Sequence, residues 1–179
     1  NQYLDLSNAW TVLALGHSDP DVLDAIHSQV DKGIVWAGNS ELLVEWTNLV
    51  VDRIPSIDMV RFSTSGTEAI QTALRGARVY TGRNLIMKMD GSYHGSGDVA
   101  EYDPIVSPKS KGLSPHLDKE VVIGYFNGER TFQIMDELQD QLAAVIVEGV
   151  MGAAGIIPPE NGFLNQLQER CRQYGIVFI

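Results

Sequence analysis

The stretch SGTEAIQTALRGARVYTGRNLIMKM, residues 65–89, decides the fold. Ile70, Ala73, Leu74, Ala77 and Tyr80 recur at helical spacing, while Glu68, Gln71, Arg75 and Arg78 take the opposite face. This predicts a helix to about Thr81, closed by Gly82. Leu85 to Met89 follows as a short, nearly all-apolar run, which is how a strand covered on both faces reads. Helix into buried strand is a unit of parallel sheet.

The pattern repeats in both directions. Upstream, Met59-Val60-Arg61-Phe62 reads as a short strand that feeds the small-residue loop Ser63 to Thr67. Asp19 or Ser18 can cap a helix with Pro20 in its first turn and Val22, Leu23, Ile26 and Val30 on one face, ended by Gly33. Ser40 can cap the next helix, with Leu42, Leu43, Trp46, Leu49, Val50 and Ile54 at helical spacing before Pro55. Downstream, Val121 to Tyr125 is strand-like, Thr131 starts a helix to about Gln141, and Ala143 to Glu148 is a buried strand. Gly149 to Pro159 is a loop. A last helix places Phe163, Leu164, Leu167, Cys171 and Tyr174 on one face, with Gly175 at its end and a strand from Ile176. Residues 101–118, with Pro104, Pro108 and Pro115, read as a long irregular connection. The expected architecture is therefore α/β, with a mostly parallel sheet between two helical layers. Residues 1–179 read as one partial domain, of which 1–18 are a lead-in.

Composition narrows the function. Against 13 basic residues stand 23 acidic ones, a net charge of −10, which suits no phosphate backbone and argues against a nucleic-acid partner. No apolar run is long enough for a membrane span. A lone Cys171 forms no disulfide framework and no multi-cysteine zinc site, so no metal is expected and a reduced, cytoplasmic setting is. The chain starts without Met in alternating sequence and stops inside the apolar run Gly175 to Ile179. Both ends read as cut, and an internal piece of a longer protein is the expectation.

In such folds ligands sit at the carboxyl ends of strands. Three loops qualify. Ser65-Gly66-Thr67 lies where a strand turns into a helix, whose first turn offers free N–H groups and the positive end of the dipole. Two hydroxyls and a Gly suit an anion there, though an ordinary Ser/Thr cap has the same pattern. The spacing is not that of a P-loop. Tyr93-His94, between Gly91 and Gly95, could stack an aromatic on a planar ring or simply pack in a turn. His94 with Ser96 lacks the acid and the elbow of a nucleophile pair. Glu148 ends a buried strand, as a site carboxylate or as a residue emerging into solvent.

Taken in order, these pieces resemble the class III aminotransferases of fold type I, which use pyridoxal 5'-phosphate. The resemblance covers nearly the whole chain. It rests on Tyr3-Leu4-Asp5 with Leu15-Gly16-His17 and Pro20, on Ser65-Gly66-Thr67-Glu68-Ala69, and on Tyr80-Thr81-Gly82-Arg83. Gly91-Ser92-Tyr93-His94-Gly95 and Val147-Glu148 with Gly155 and Pro158-Pro159 complete it. Within the class it is nearest to the glutamate-1-semialdehyde aminomutases and the β-amino-acid aminotransferases.

The resemblance implies part of the large domain of such an enzyme, transferring an amino group from a small amino donor to a carbonyl acceptor, as a homodimer when complete. An aminomutase, moving the group within one molecule, is the alternative, and a non-catalytic relative acting as a binding protein is another. It assigns the cofactor phosphate to Ser65, Gly66 and Thr67, ring stacking to Tyr93 with His94 behind it, and a nearby carboxylate to Glu148. It places Trp10 and Ala153 at the substrate pocket. At Ala153, relatives acting on ornithine or γ-aminobutyrate commonly carry a Glu. Gly149 stands where the family has Pro. The family's cofactor-bearing Lys and the Asp that pairs with the ring nitrogen are expected beyond Ile179. No catalytic residue is assigned among Lys32, Lys88, Lys109, Lys111 and Lys119.

Overall fold

The computed structural model describes residues 1–105 and 112–179. The part of the irregular connection that holds Pro108, Lys109 and Lys111 lies outside the described residues. Two compact units divide the chain, residues 1–61 and residues 62–179.

The first unit opens with exposed residues that form no strand, contrary to the alternation of Asn1 to Leu6. Asp5 instead organises a turn. Its carboxylate accepts from the Ser7 and Asn8 N–H groups (2.9 and 3.1 Å) and lies 2.8 Å from His17 Nε2. The His17 contact, then the two N–H groups, holds the Asp5 carboxyl down at about 2. A single turn, α1 (Asn8–Thr11), has Ala9 and Trp10 in left-handed angles. Asp19 caps α2 (Pro20–Val30) and Ser40 caps α3 (Glu41–Arg53), each by accepting from N–H groups of the first turn. The predicted apolar stripes exist, but neither helix contains a buried residue. Met59 to Phe62 forms no strand. An extended segment becomes a strand only by joining a ladder, and the sheet of the described residues does not include this one.

The second unit is the three-layer domain. In chain order it holds α4 (Gly66–Thr81), β1 (Leu85–Met89) and the short α5 (Asp98–Glu101). A 3₁₀ turn at Leu117–Lys119, β2 (Val121–Gly124), α6 (Glu129–Leu138), β3 (Leu142–Ile146), α7 (Phe163–Tyr174) and β4 (Val177–Phe178) follow. The strands lie in the order β2-β1-β3-β4 and every pairing is parallel. All carboxyl ends therefore share one edge.

Period-2 alternation splits β1 between two layers. Ile86 joins Ala144 and Ile146 under Leu74 and Ala77 of α4. Met87 and Met89 join Leu142 and Val145 over Phe132 and Met135 of α6 and Phe163, Leu167 and Cys171 of α7. Each fully buried side chain of this size contributes roughly 1.5–3 kcal/mol. Burial also pushes the Cys171 thiol up to about 12. Tyr80 departs from its expected face and is 83% exposed, because the inner face runs from the buried Ala77 to the half-buried Thr81 four residues on. Gly82 takes the left-handed cap that ends α4. Arg83 then reaches the carbonyls of Leu142 and Tyr174, tying β3 to the end of α7. Helix α6 starts at Glu129 rather than Thr131. Thr131 instead points inward, its hydroxyl donating to the Tyr125 carbonyl and accepting from the Tyr125 N–H.

Candidate functional site

The site is built at the carboxyl edge of the sheet in the second unit, beginning with the first turn of α4. Ser65 is extended, and its hydroxyl accepts from the Glu68 N–H at 3.3 Å. Glu68 reaches back to the Thr64 hydroxyl and N–H. Those bonds, the hydroxyl first, hold the Glu68 carboxyl below the usual carboxylate range. This is a capping arrangement, and it leaves the N–H groups of Gly66 and Thr67 outside the helix's own ladder. A Cβ on Gly66 would meet nothing within 4 Å, so the turn is open.

The loop of residues 90–97 lies against this turn. The Ser96 N–H donates to Thr67 Oγ1 at 3.2 Å. Since that hydroxyl accepts from the backbone, its own proton is left to donate. Gly95 has φ +90°, and a Cβ there would stand 2.6 Å from Thr67 Oγ1 and 2.9 Å from Thr67 Cα. Only Gly fits both the angle and the approach. The ring of Tyr93 stands out of the loop, 62% exposed.

Glu148 joins the second loop to the third. One carboxylate oxygen accepts from the Tyr93 N–H at 2.9 Å, the other from the Gly152 N–H at 2.8 Å. Gly149 therefore does not release Glu148 from the site. Ala153 follows Gly152 on the exposed loop, which returns through a bridge between Met151 and Ile157. Ala154 comes so near Gly91 that a Cβ on Gly91 would lie 3.4 Å from the Ala154 methyl.

His94 is only 8% exposed, and its Nε2 is buried with no hydrogen-bond partner among the described residues. Burial first, then the Lys88 charge, lowers its pKa to about 4, against the opposing pull of Glu148. The imidazole is neutral near pH 7. It makes no pair with Ser96.

These four pieces have a match in known proteins over their full span. The family model for class-III aminotransferases matches residues 1–179. The chain belongs to the class-III aminotransferase family. It is 37% identical to a glutamate-1-semialdehyde 2,1-aminomutase of Thermoplasma acidophilum, an alignment covering 100% of this chain and 44% of that protein. Its fold superposes on an omega-transaminase from Sphaerobacter thermophilus with TM-score 0.92 and 37% identity, over 98% of this chain and 43% of that one. A transaminase solved with PLP bound gives TM-score 0.90 and 30% identity, over 96% and 42%. The chain thus spans less than half the length of these relatives.

The class-III chain contains two further residues at this edge that sequence reading missed. Asn127, after β2, adopts φ +61° and holds the third loop from below, donating to the Pro158 carbonyl (3.0 Å) and accepting from the Glu160 N–H (2.9 Å). An Asn-Gly pair after a strand is the available signal. Lys88 lies in β1 and is 2% exposed. A lone charge inside Leu85-Ile86-Met87-Lys88-Met89 was the sign of it. Of the sequence-predicted residues, the structure ties Thr67 and Glu148 to the loop that carries Tyr93 and the buried His94, at the Ser96 and Tyr93 N–H groups. Ser65 and Gly66 open the same turn. Trp10 belongs to the first unit, on its left-handed turn, 90% exposed. Among the described residues no cluster of His, Cys, Asp and Glu could hold a metal, and no helix is long and apolar enough to cross a membrane.

Proposed function

We propose that this edge holds pyridoxal 5'-phosphate and that the full-length protein transfers an amino group from a small amino donor to a carbonyl acceptor. The observation that carries the reading is the open first turn of α4 with Thr67's hydroxyl proton free to donate. A phosphate dianion needs several N–H and O–H donors and gains from the helix dipole. Ser65, Gly66 and Thr67 supply that set without a cation. Tyr93 offers a flat face for the pyridine ring, and neutral His94 packs behind it without adding charge. Glu148 keeps the Tyr93 loop and the Gly152 loop at fixed separation. When bound, the cofactor supplies an electron sink for the pair left when the substrate's α-proton departs. A homodimer in the cytoplasm is part of the same proposal, supported by the half-exposed apolar stripes of α2 and α3 and by the lone buried thiol.

The test is cofactor affinity in the full-length protein. Thr67→Ala removes one hydrogen bond to a charged group, worth roughly 1.5–3 kcal/mol, so the Kd for pyridoxal phosphate should rise about 10- to 150-fold. Thr67→Ser should stay near the wild type. Equal affinity in the Ala variant would reduce the loop to a helix cap.

For the substrate, Ala153 is the discriminating position. A small uncharged residue on the exposed Gly152–Ala154 turn has no carboxylate to neutralise a pocket Arg. This supports glutamate-1-semialdehyde or a β-amino acid over ornithine and γ-aminobutyrate. The aminomutase relative favours the first of these. A parallel assay of the four amines should give the higher kcat/KM to one of the first two. A preference for ornithine or γ-aminobutyrate contradicts the Ala153 argument. Turnover of any of them excludes a binding-only protein.

A further inference from the structure

Beneath the Tyr93–His94 loop lies a buried charged cluster with no part in the reading above. Lys88 shares a face of β1 with Ile86, on the side of α4 and α5, and its ammonium donates to the Ala100 carbonyl of α5 at 2.6 Å. Asp103 is buried too, and its carboxylate accepts from the Gly91 N–H (3.1 Å) and the Ile105 N–H (3.0 Å). Asp90, next to Gly91, has one carboxylate oxygen buried with no partner among the described residues. Burial lowers the Lys88 pKa, opposed by Asp103 before Glu101, Asp90 and Glu148. Burial and then Asp103 raise that of Asp90.

We propose that Lys88 is a positioning residue for the cofactor loop. Its ammonium, donating to the Ala100 carbonyl, fixes α5 and with it Asp103, two residues past that helix, whose carboxylate accepts from the Gly91 N–H and so sets the turn on which Tyr93 and His94 stand. A donor is required rather than bulk, because an apolar side chain would leave the Ala100 carbonyl without the ammonium. The inference rests on the cofactor reading only for what the loop carries. The hydrogen bonds themselves belong to the protein.

The experiment uses the full-length, cofactor-free protein and Lys88→Met, which keeps the length and removes the charge. Amide exchange at Gly91 and Ile105, the two donors to Asp103, should quicken about tenfold or more, as for loss of one hydrogen bond. Ile86 and Met87 in β1 should keep their protection. The imidazole of His94 faces Lys88 from β1 and Glu148 from the third loop. Without the ammonium its NMR titration should move upward from about 4. Wild-type exchange at Gly91 and Ile105 with an unmoved His94 overturns the proposal. Should Lys88→Met fail to fold, Lys88→Met/Asp103→Asn removes the second buried charge and keeps an oxygen that can accept from the Gly91 N–H. Its Gly91 and Ile105 amides should exchange faster than in Asp103→Asn alone, and equal rates overturn the proposal. Pyridoxal phosphate binding by the wild type is measured separately. Its failure would refute the function and leave the exchange result standing.

Discussion

Gly95→Ala is expected to destabilise the full-length protein by about 2–6 kcal/mol and to weaken cofactor binding more than any single hydroxyl deletion. Two costs add. A non-glycine residue held at positive φ costs about 1–3 kcal/mol, and Gly95 sits at +90°. The new methyl would also press on Thr67 at 2.6–2.9 Å, where backbone and not only a flexible tip must move. Overpacking of that kind costs about 1–3 kcal/mol. The displaced atom is the hydroxyl that faces the proposed phosphate, so stability and affinity should fall together. Gly91→Ala separates the causes. It too has positive φ, +70°, but its methyl would meet only Ala154 at an ordinary 3.4 Å. It should cost about 1–2 kcal/mol, the left-handed penalty alone. Denaturant midpoints of the two variants provide the comparison. Equal losses would mean that the close approach to Thr67 carries no energy.

Stability should also fall in mild acid through His94. Its folded pKa of about 4 lies below the ordinary histidine value of 6.5. Between those two values the unfolded chain holds a proton that the folded chain does not. The unfolded state therefore binds more protons, and stability rises with pH. The contribution is fully present above pH 6.5 and is lost as pH falls towards 4. The difference corresponds to about 3 kcal/mol. His94→Gln should flatten this part of the pH–stability curve. The Asp5 carboxyl, held at about 2, acts in a more acid range and on an exposed turn, so the two are separable. An unchanged slope between pH 4 and 6.5 in His94→Gln would show that folding does not lower the pKa of this imidazole.

The parallel sheet was legible because its signal is local. Leu85 to Met89 and Leu142 to Ile146 are apolar enough to be nothing but covered strands, and the α4 pattern runs unbroken into Gly82. Met59 to Phe62 misled for the converse reason. Its composition suits a strand, but pairing partners are a property of the whole fold. The three site loops were readable as turns at strand ends. Their mutual bonds were not, since Tyr93 meets Glu148 across 55 residues of sequence and Thr67 meets Ser96 across 29. Lys88 stayed hidden because the group that accepts from its ammonium, the Ala100 carbonyl, lies outside the strand. Asn127 escaped because its partners, Pro158 and Glu160, lie on a loop that offers no periodicity. Small residues at 152–154 could be read, while the nearness of Ala154 to Gly91 could not.

The Glu148 clamp has a consequence for biosynthesis. Its two amide partners lie on either side of it, and the carboxylate is made last but one. A chain growing at about 5–20 residues per second takes roughly 3–11 s to travel from Tyr93 to Glu148. During that time β1 waits without β3, and the Tyr93 amide has only water to bond. The loop proposed to meet the cofactor is therefore unset while the ribosome is still working. On the proposed reading, a cofactor present during translation would meet α4's open turn first and the aromatic face seconds later. The parts of the proposed site are thus completed in the order of their sequence positions, the turn proposed for the phosphate before the face proposed for the ring.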